Sequence, residues 1–100
     1  MGLFSKLFGT DKKDRVNALL AKGAVIIDVR NPGEFAARNH KGSINIPLQE
    51  IAAKMDEIKA HQKPIVVCCA SGVRSASAKS MIAKAGIEVE NAGSWRALEK

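Results

Sequence analysis

The length, composition and charge of this chain restrict it to one small globular domain. One hundred residues bury about two thirds of their unfolded surface without disulfides or metals, and 46% hydrophobic with 26% charged residues is ordinary for such a domain. Four aromatic residues are too few for a platform that stacks single-stranded nucleic acid. The formal charge of +6 favours anionic partners, but the lysines are scattered, so no nucleic-acid partner is expected.

Residues 1–13 are predicted to be an N-terminal extension of a domain that spans residues 14–100. The apolar residues of the extension share one face if residues 2–8 are helical, which allows a weak membrane-surface or partner-binding helix. So short a helix is unstable alone, and we expect an extension that is frayed or docked on its own domain. The segment also lacks the apolar core and cleavage site of a secretory signal, so a cytoplasmic location without firm membrane association is expected.

The rest of the chain alternates helical and strand patterns. Apolar residues three or four apart predict helices, and short continuous apolar runs predict strands buried on both faces. The predicted helices cover residues 14–22, a short segment opened by Asn31 and Pro32, 48–59, 74–84 and a terminal turn at 94–98. The predicted strands cover residues 24–29, 43–46, 64–69 and 87–91. This alternation predicts an α/β fold with a small, mostly parallel central sheet flanked by helices on both faces.

One stretch, Ile65 to Ser75, joins an apolar strand to a helix through a short loop that begins at Cys69. Backbone N–H groups at a helix N-terminus have no intrahelical partner and carry about half a positive charge from the macrodipole, so a sulfur held there is favoured as thiolate. Such a setting lowers a cysteine pKa from about 8.5 to between about 3.5 and 7.5. Cys69 is therefore the predicted nucleophile, at the carboxyl end of a strand, where parallel sheets form their sites.

The two cysteines, Cys68 and Cys69, are adjacent and form neither a disulfide framework nor the ligand spacing of a zinc site. Both are expected to be free thiols, with no metal and no cofactor. Because side chains alternate along a strand, Cys68 is expected to point into the apolar layer as an inert core residue. Its alternative role, resolving a modified Cys69, is disfavoured by the strained ring that adjacent cysteines form.

With these residues placed, the chain resembles a single-domain rhodanese, the thiosulfate sulfurtransferase family, and is most similar to the very small bacterial rhodaneses. The resemblance covers residues 24–98. It rests on motifs in the family's order and spacing, namely Ile27-Asp28-Val29-Arg30, Glu34-Phe35, Gly42-Ser43-Ile44-Asn45-Ile46-Pro47 and Cys69-Ala70-Ser71-Gly72-Val73-Arg74-Ser75. The chain departs from the family at Asn39 and His40, where relatives often carry histidine followed by an apolar residue.

The resemblance implies a role for each matching residue. Cys69 matches the persulfide-forming cysteine, and Arg74 matches the loop arginine that helps to hold its sulfur. Asp28 and Arg30 match a pair that the family uses mainly to brace the site. The implied substrate-binding loop consists of Ala70, Ser71, Gly72, Val73, Arg74 and Ser75, in which the two serines either satisfy loop backbone groups or contact substrate.

The resemblance also implies a reaction, the transfer of sulfane sulfur from a small anionic donor such as thiosulfate to cyanide or a thiol such as thioredoxin or glutathione. Cysteine phosphatases with a related loop place cysteine and arginine one residue further apart, and the shorter loop here suits a single sulfur atom. The sulfurtransferase is expected to be a monomer. The alternative is a persulfide carrier or docking module that delivers sulfur to a partner protein with little turnover on thiosulfate. A fold kept only for binding is disfavoured, because Cys69 is present.

Overall fold

A computed structural model describes residues 11–99 as a parallel four-stranded sheet with helices on both faces. Helices α1 to α4 are Lys12–Ala21, Pro32–Ala37, Met55–Ala60 and Val73–Lys84, and strands β1 to β4 are Val25–Asp28, Ile44–Asn45, Ile65–Cys69 and Val89–Ser94. Two 3₁₀ turns are Leu48–Glu50 and Trp95–Leu98. The strand order is β2-β1-β3-β4 with every neighbouring pair parallel, so the predicted α/β fold is confirmed.

Strands β1 and β3 form the centre of the sheet because their side chains are apolar on both faces. All five residues of β3 are buried. Val67 and Cys69 pack in the cluster beneath α3 and α4, whereas Val66 and Cys68 pack against α1 and Trp95 on the other face. Cys68 therefore points away from Cys69, as the strand pattern predicts, and burial raises the pKa of its thiol to about 12.

The predicted continuous helix over residues 48–59 is wrong. The chain forms the 3₁₀ turn Leu48–Glu50 and a run of turns before α3 begins at Met55. The entry to this segment is tied to the sheet, because the backbone N–H of Leu48 donates to the carbonyl of Val29 at 3.1 Å. The apolar periodicity still identifies the inward side, since Ile51 has no exposed surface.

The last strand lies further along the chain than predicted, at Val89–Ser94 instead of residues 87–91. The backbone N–H of Ile87 donates to the carbonyl of Ile82 at 3.4 Å, so Ile87 belongs to the connection that leaves α4. The polar and glycine residues that suggested the end of the strand continue its ladder instead, because β3 supplies hydrogen-bonding partners along the whole of β4.

A bulge interrupts the ladder between β3 and β4. Val67 pairs with Asn91 and Cys68 pairs with Gly93, which leaves Ala92 as the extra residue on β4. A bulge turns the side chains beside it away from the regular alternation of a strand. In this protein it lies directly beside Cys68 and thus at the level of the Cys69 loop.

The described residues begin at Asp11, one residue before helix α1. Asp11 caps α1, and its side chain accepts a hydrogen bond from the backbone N–H of Asp14 at 2.9 Å. The predicted apolar helix at residues 2–8 lies outside the described residues. Between residues 11 and 99, no helix is both long and apolar enough to cross a membrane.

Candidate active site

The sulfur of Cys69 lies at the end of β3 against the first turn of α4. The backbone N–H groups of Gly72 and Ser75 donate to Sγ at 3.0 and 3.4 Å, and the Ser75 hydroxyl oxygen lies 3.3 Å from it. Cys69 has no exposed surface. The donors, together with the N-terminus of the 12-residue α4, form a cradle for a negatively charged sulfur.

Opposing influences set the pKa of the Cys69 thiol. Burial is the largest and raises the pKa, because a thiolate loses its hydration. Hydrogen bonds from the Ser75 hydroxyl and from the backbone N–H groups of Ser75, Gly72 and Ser71 lower it. The hydrogen bonds prevail and bring the pKa of Cys69 to about 7. Thiolate formation therefore falls near neutral pH, below the ordinary range of a cysteine.

The loop after Cys69 requires glycine at position 72. Gly72 has a φ of 104°, in the left-handed region, and a Cβ atom there would lie 3.2 Å from the Cα of Gly93 in the β4 bulge. Other residues are strained at this φ, and the close approach leaves no room for a side chain. The Gly72 N–H is thus aimed at the sulfur by a loop that rests on β4.

The remaining loop residues form the rim of the site. Ala70, Ser71 and Val73 are exposed, and Val73 is a large apolar residue with 73% of its surface exposed. Of the six loop residues predicted from the sequence, Gly72 and Ser75 donate to the Cys69 sulfur at 3.0 to 3.4 Å, and the backbone N–H of Ser71 makes a smaller contribution to the lowered pKa of Cys69.

Arg74 is paired with a carboxylate from α2. Its Nη1 and Nη2 donate to Oε1 and Oε2 of Glu34 at 2.7 and 3.2 Å, and Glu34 Oε1 also accepts the backbone N–H of Asn31 at 3.1 Å. Arg74 first, and then the Asn31 N–H, lower the pKa of Glu34 to about 2. The sequence prediction gave Glu34 no partner, although the Asn-x-x-Glu spacing is a signal of the first turn of a helix.

Asp28 and Arg30 form a buried ion pair beneath the site, with 0% and 5% of their surfaces exposed. Arg30 Nε donates to both carboxylate oxygens at 3.0 Å, and Nη2 donates to Asp28 Oδ2 at 2.8 Å and to the carbonyl of Arg38 at 2.7 Å. Its guanidinium carbon also lies 5.0 Å from the ring centroid of Trp95. Hydrogen bonding to Asp28 raises the pKa of Arg30. This is the geometry of a structural brace.

The chemistry of this arrangement is that of a single activated thiol. Within residues 11–99, no group of three His, Cys, Asp or Glu side chains converges as metal ligands. Residues 12–99 match the family model of the rhodanese-like domain. The chain belongs to the rhodanese family.

Individual rhodanese relatives give the same assignment. The chain is 35% identical to the thiosulfate sulfurtransferase PspE of Escherichia coli (strain K12), over 67% of this chain and 66% of PspE. It is 38% identical to the uncharacterized protein YqhL of Bacillus subtilis (strain 168), over 63% of this chain and 49% of YqhL. It thus spans about half to two thirds of the curated relatives it matches. The structure of human single-domain sulfurtransferase TSTD1 superposes with a TM-score of 0.67 at 31% identity, over 85% of this chain and 90% of TSTD1.

One residue of this rhodanese site is missing from the sequence prediction. Asn91 of β4 reaches beneath the Cys69 loop, where its Oδ1 lies 2.7 Å from the Ser75 hydroxyl oxygen and its Nδ2 donates to the carbonyl of Gly72 at 3.1 Å. The sequence carries no signal for this contact, because the bulge that aims Asn91 at the loop depends on pairing between β3 and β4.

Proposed function

We propose that this rhodanese is a sulfurtransferase that carries sulfane sulfur on Cys69. The observation that supports this most strongly is the cradle of Gly72 and Ser75 N–H groups around a sulfur whose pKa is lowered to about 7. A thiolate is the species that attacks sulfur in exchange reactions. The relatives PspE and TSTD1, both named as sulfurtransferases, support the same reaction.

In the first half-reaction, the Cys69 thiolate attacks the outer sulfur of a small anionic donor such as thiosulfate. A bond forms between the two sulfurs, the sulfur–sulfur bond of the donor breaks, and its electron pair leaves with sulfite. The negative charge then rests on the outer sulfur of the Cys69 persulfide. Fixed donors that face a developing anion are worth about 3 to 4 kcal/mol each when one is removed, and the loop N–H groups supply this stabilisation.

In the second half-reaction, an acceptor attacks the outer sulfur of the persulfide. Cyanide takes this sulfur and becomes thiocyanate, and a thiolate acceptor takes it and becomes a new persulfide. In either case the bond between the two sulfurs breaks, and its electron pair stays on Cys69, which is again a thiolate. The charges of the two half-reactions balance, so the cycle consumes no oxidant or reductant. The low pKa of Cys69 favours this step as well, because a more acidic thiol is a better leaving group.

The donor reaches Cys69 through the rim of the loop. Because Cys69 has no exposed surface, entry requires a movement of the loop or of the Arg74–Glu34 pair beside it. An anionic donor competes with Glu34 for the Arg74 guanidinium. We therefore propose that Arg74 binds the donor and that Glu34 limits this binding by holding the Arg74 guanidinium.

Replacement of each cysteine tests the proposal. Cys69→Ser is expected to abolish thiocyanate formation from thiosulfate and cyanide, whereas Cys68→Ser keeps most of it, because Cys68 faces the opposite layer. Circular dichroism spectra of both variants establish that each one folds. Substantial turnover by Cys69→Ser overturns the proposal.

A persulfide carrier is the second candidate, and the exposed side chain of Val73 on the rim favours it. An apolar residue beside the reactive sulfur suits contact with a partner protein. Val73→Ser is then expected to slow sulfur transfer to reduced thioredoxin while transfer to cyanide stays unchanged. Equal rates for Val73→Ser and the native protein with thioredoxin count against the carrier.

A further inference from the structure

Asn91 makes three hydrogen bonds, two of which join the Cys69 loop and the start of α4 to β4. Its Oδ1 accepts the backbone N–H of Gly93 at 2.8 Å and lies 2.7 Å from the Ser75 hydroxyl oxygen, and its Nδ2 donates to the carbonyl of Gly72 at 3.1 Å. The sulfur of Cys69 lies on the other side of Ser75, 3.3 Å from the same hydroxyl oxygen. Asn91 thus lies one side chain away from the reactive atom.

The backbone partners of Asn91 fix the orientation of its carboxamide. The N–H of Gly93 can only donate, so it faces the oxygen, and the carbonyl of Gly72 can only accept, so it faces the nitrogen. The atom of Asn91 that faces Ser75 is therefore an acceptor. At a separation of 2.7 Å, the proton between the two oxygens has to come from the Ser75 hydroxyl.

A serine hydroxyl has one proton, and two neighbours of Ser75 require it. If the proton points to Asn91, the Ser75 oxygen presents a lone pair to Cys69, which suits a neutral thiol that donates its S–H. If Cys69 is a thiolate, its sulfur needs the Ser75 proton itself. The Ser75 oxygen lies 2.7 Å from Asn91 Oδ1 and 3.3 Å from the Cys69 sulfur, and since sulfur is larger than oxygen each is an ordinary hydrogen-bond distance for its acceptor.

We propose that Asn91 is a positioning residue that holds the Ser75 proton while Cys69 is a thiol and releases it to the sulfur when the sulfur becomes an anion. On ionisation the Cys69 proton passes to water, the Ser75 hydroxyl rotates toward Sγ, and Asn91 Oδ1 keeps its bond from Gly93. The role of this step in sulfur transfer rests on the proposed function, but the proton exchange itself does not.

Most of the charged groups around the loop pair with one another. None of them hydrogen-bonds to Ser75 or Asn91 in the part of the chain that the structure describes, and the Cys68 thiol faces the opposite layer. They are the Asp28–Arg30 pair of β1 and its following loop, Glu34 of α2 with Arg74 of α4, Glu90 of β4 with Arg15 of α1 and Lys79 of α4, and the Lys12 ammonium beside Gly93. The exchange is therefore local to three side chains.

A double-mutant cycle on thiolate formation tests the proposal. Ultraviolet absorbance reports the Cys69 thiolate without any sulfur donor, and it is unobscured because the chain has no tyrosine and the pKa of Cys68 is raised to about 12. The four proteins are the native chain, Ser75→Ala, Asn91→Ala and the double variant. Ser77→Ala, an exposed serine on the same helix, is the control.

The effect of Ser75→Ala on the titration midpoint of Cys69 is expected to be larger when Asn91 is absent than when it is present. Ser75→Ala raises the titration midpoint in both backgrounds, and by about half to one pH unit more when Asn91 is absent, because the Ser75 proton is then free for the sulfur. An equal or smaller increase in the Asn91→Ala background overturns the proposal. A smaller increase of the midpoint is expected if Asn91 only stabilises the position of the loop.

A second measurement on the unaltered protein covers the case in which Asn91→Ala does not fold. The side-chain amide signals of Asn91 in nuclear magnetic resonance spectra are expected to shift with the same midpoint as the thiolate absorbance, because Oδ1 loses a hydrogen bond on ionisation. Signals that stay constant through that midpoint overturn the proposal. Neither the thiolate absorbance nor the amide signals depend on sulfur transfer. A protein that shows the coupling between Ser75 and Asn91 but transfers no sulfur would therefore support this inference and contradict the proposed function.

Discussion

At Cys69, a sulfur without exposed surface has a pKa near neutrality because the hydrogen bonds from Gly72, Ser75 and Ser71 outweigh its burial. The two cysteines therefore differ sharply although they are adjacent. Cys68 lies in the opposite layer with no such donors, and burial raises its pKa to about 12. Of these two neighbours on β3, Cys69 therefore faces a set of hydrogen-bond donors and Cys68 is a core residue.

The pH dependence of persulfide formation follows from this value. Because only the thiolate attacks, the rate is expected to rise with pH and to level off above a midpoint near 7. Below that midpoint it falls about tenfold for each pH unit. Single-turnover release of sulfite from thiosulfate measures it. A midpoint at the ordinary cysteine value of about 8.5 would contradict the cradle.

Substitution of Glu34 tests whether its carboxylate limits the binding of the donor by Arg74. Glu34→Gln removes the charge that holds the guanidinium, so the KM for thiosulfate is expected to fall by about twofold to fivefold. Glu57→Gln is the matched control. Glu57 lies on α3, and its carboxylate also pairs with a cation, the Lys54 ammonium, at 3.5 Å. Steady-state kinetics measure both variants. Equal effects of the two substitutions would assign the change to net charge alone.

At this scale the sequence predicts the proposed nucleophile but not all of the residues around it. Cys69 follows from a local pattern of strand, loop and helix start. Glu34 and Asn91 approach the loop from α2 and β4, so their roles depend on tertiary packing.

At the level of elements, the loop between β3 and α4 depends on two glycines that touch. Gly72→Ala is expected to lower the free energy of unfolding by about 1 to 2 kcal/mol because of its positive φ, and by more because of its contact with Gly93. Gly23→Ala is the matched control, with a φ of 86° and no atom near the added Cβ. Urea unfolding measures both. A loss for Gly72→Ala no greater than that for Gly23→Ala would contradict the contact.

A third glycine gives a prediction of opposite sign. Gly33 lies in α2 in ordinary helical backbone, and an added Cβ there meets no atom within 4 Å. Gly33→Ala is expected to raise the free energy of unfolding by about 0.5 to 1 kcal/mol, because alanine loses less backbone entropy in a helix. The same urea experiment measures it, and a destabilised variant would contradict the open space at this position.

The helices and strands that the sequence predicts well are those that depend on a local apolar pattern. The buried strands β1 and β3 and helix α4 follow from apolar patterns and are predicted nearly to the residue. The segment at 48–59 keeps its predicted inward face, but it forms a 3₁₀ turn and a run of turns before α3 begins at Met55, with the N–H of Leu48 bonded to the carbonyl of Val29. Strand β4 is displaced because its bulge is set by pairing with β3, which no pattern within β4 encodes.

Across the whole molecule, Arg30 connects three parts of the fold. It bonds to Asp28 at the end of β1 and to the carbonyl of Arg38 after α2, and it stacks on Trp95 of the last turn. The site rests on this connection, because Glu34 of α2 holds Arg74 at the rim.

Loss of Arg30 is expected to destabilise the protein strongly. Arg30→Leu leaves the Asp28 carboxylate buried without a partner, which costs about 3 to 5 kcal/mol. The double variant Asp28→Asn/Arg30→Leu is expected to recover part of this loss, because the unpaired charge is gone. Thermal or urea unfolding measures both, and a double variant no more stable than Arg30→Leu would contradict the charge argument.

The central claim is that Cys69 carries the transferred sulfur, and intact-mass spectrometry tests it most directly. After incubation with thiosulfate and removal of the excess, the protein is expected to gain the mass of one sulfur atom, and fragmentation locates it on Cys69. Added cyanide then removes this sulfur and releases an equal amount of thiocyanate. A protein that gains no sulfur, gains it on Cys68, or keeps it in the presence of cyanide would contradict the account.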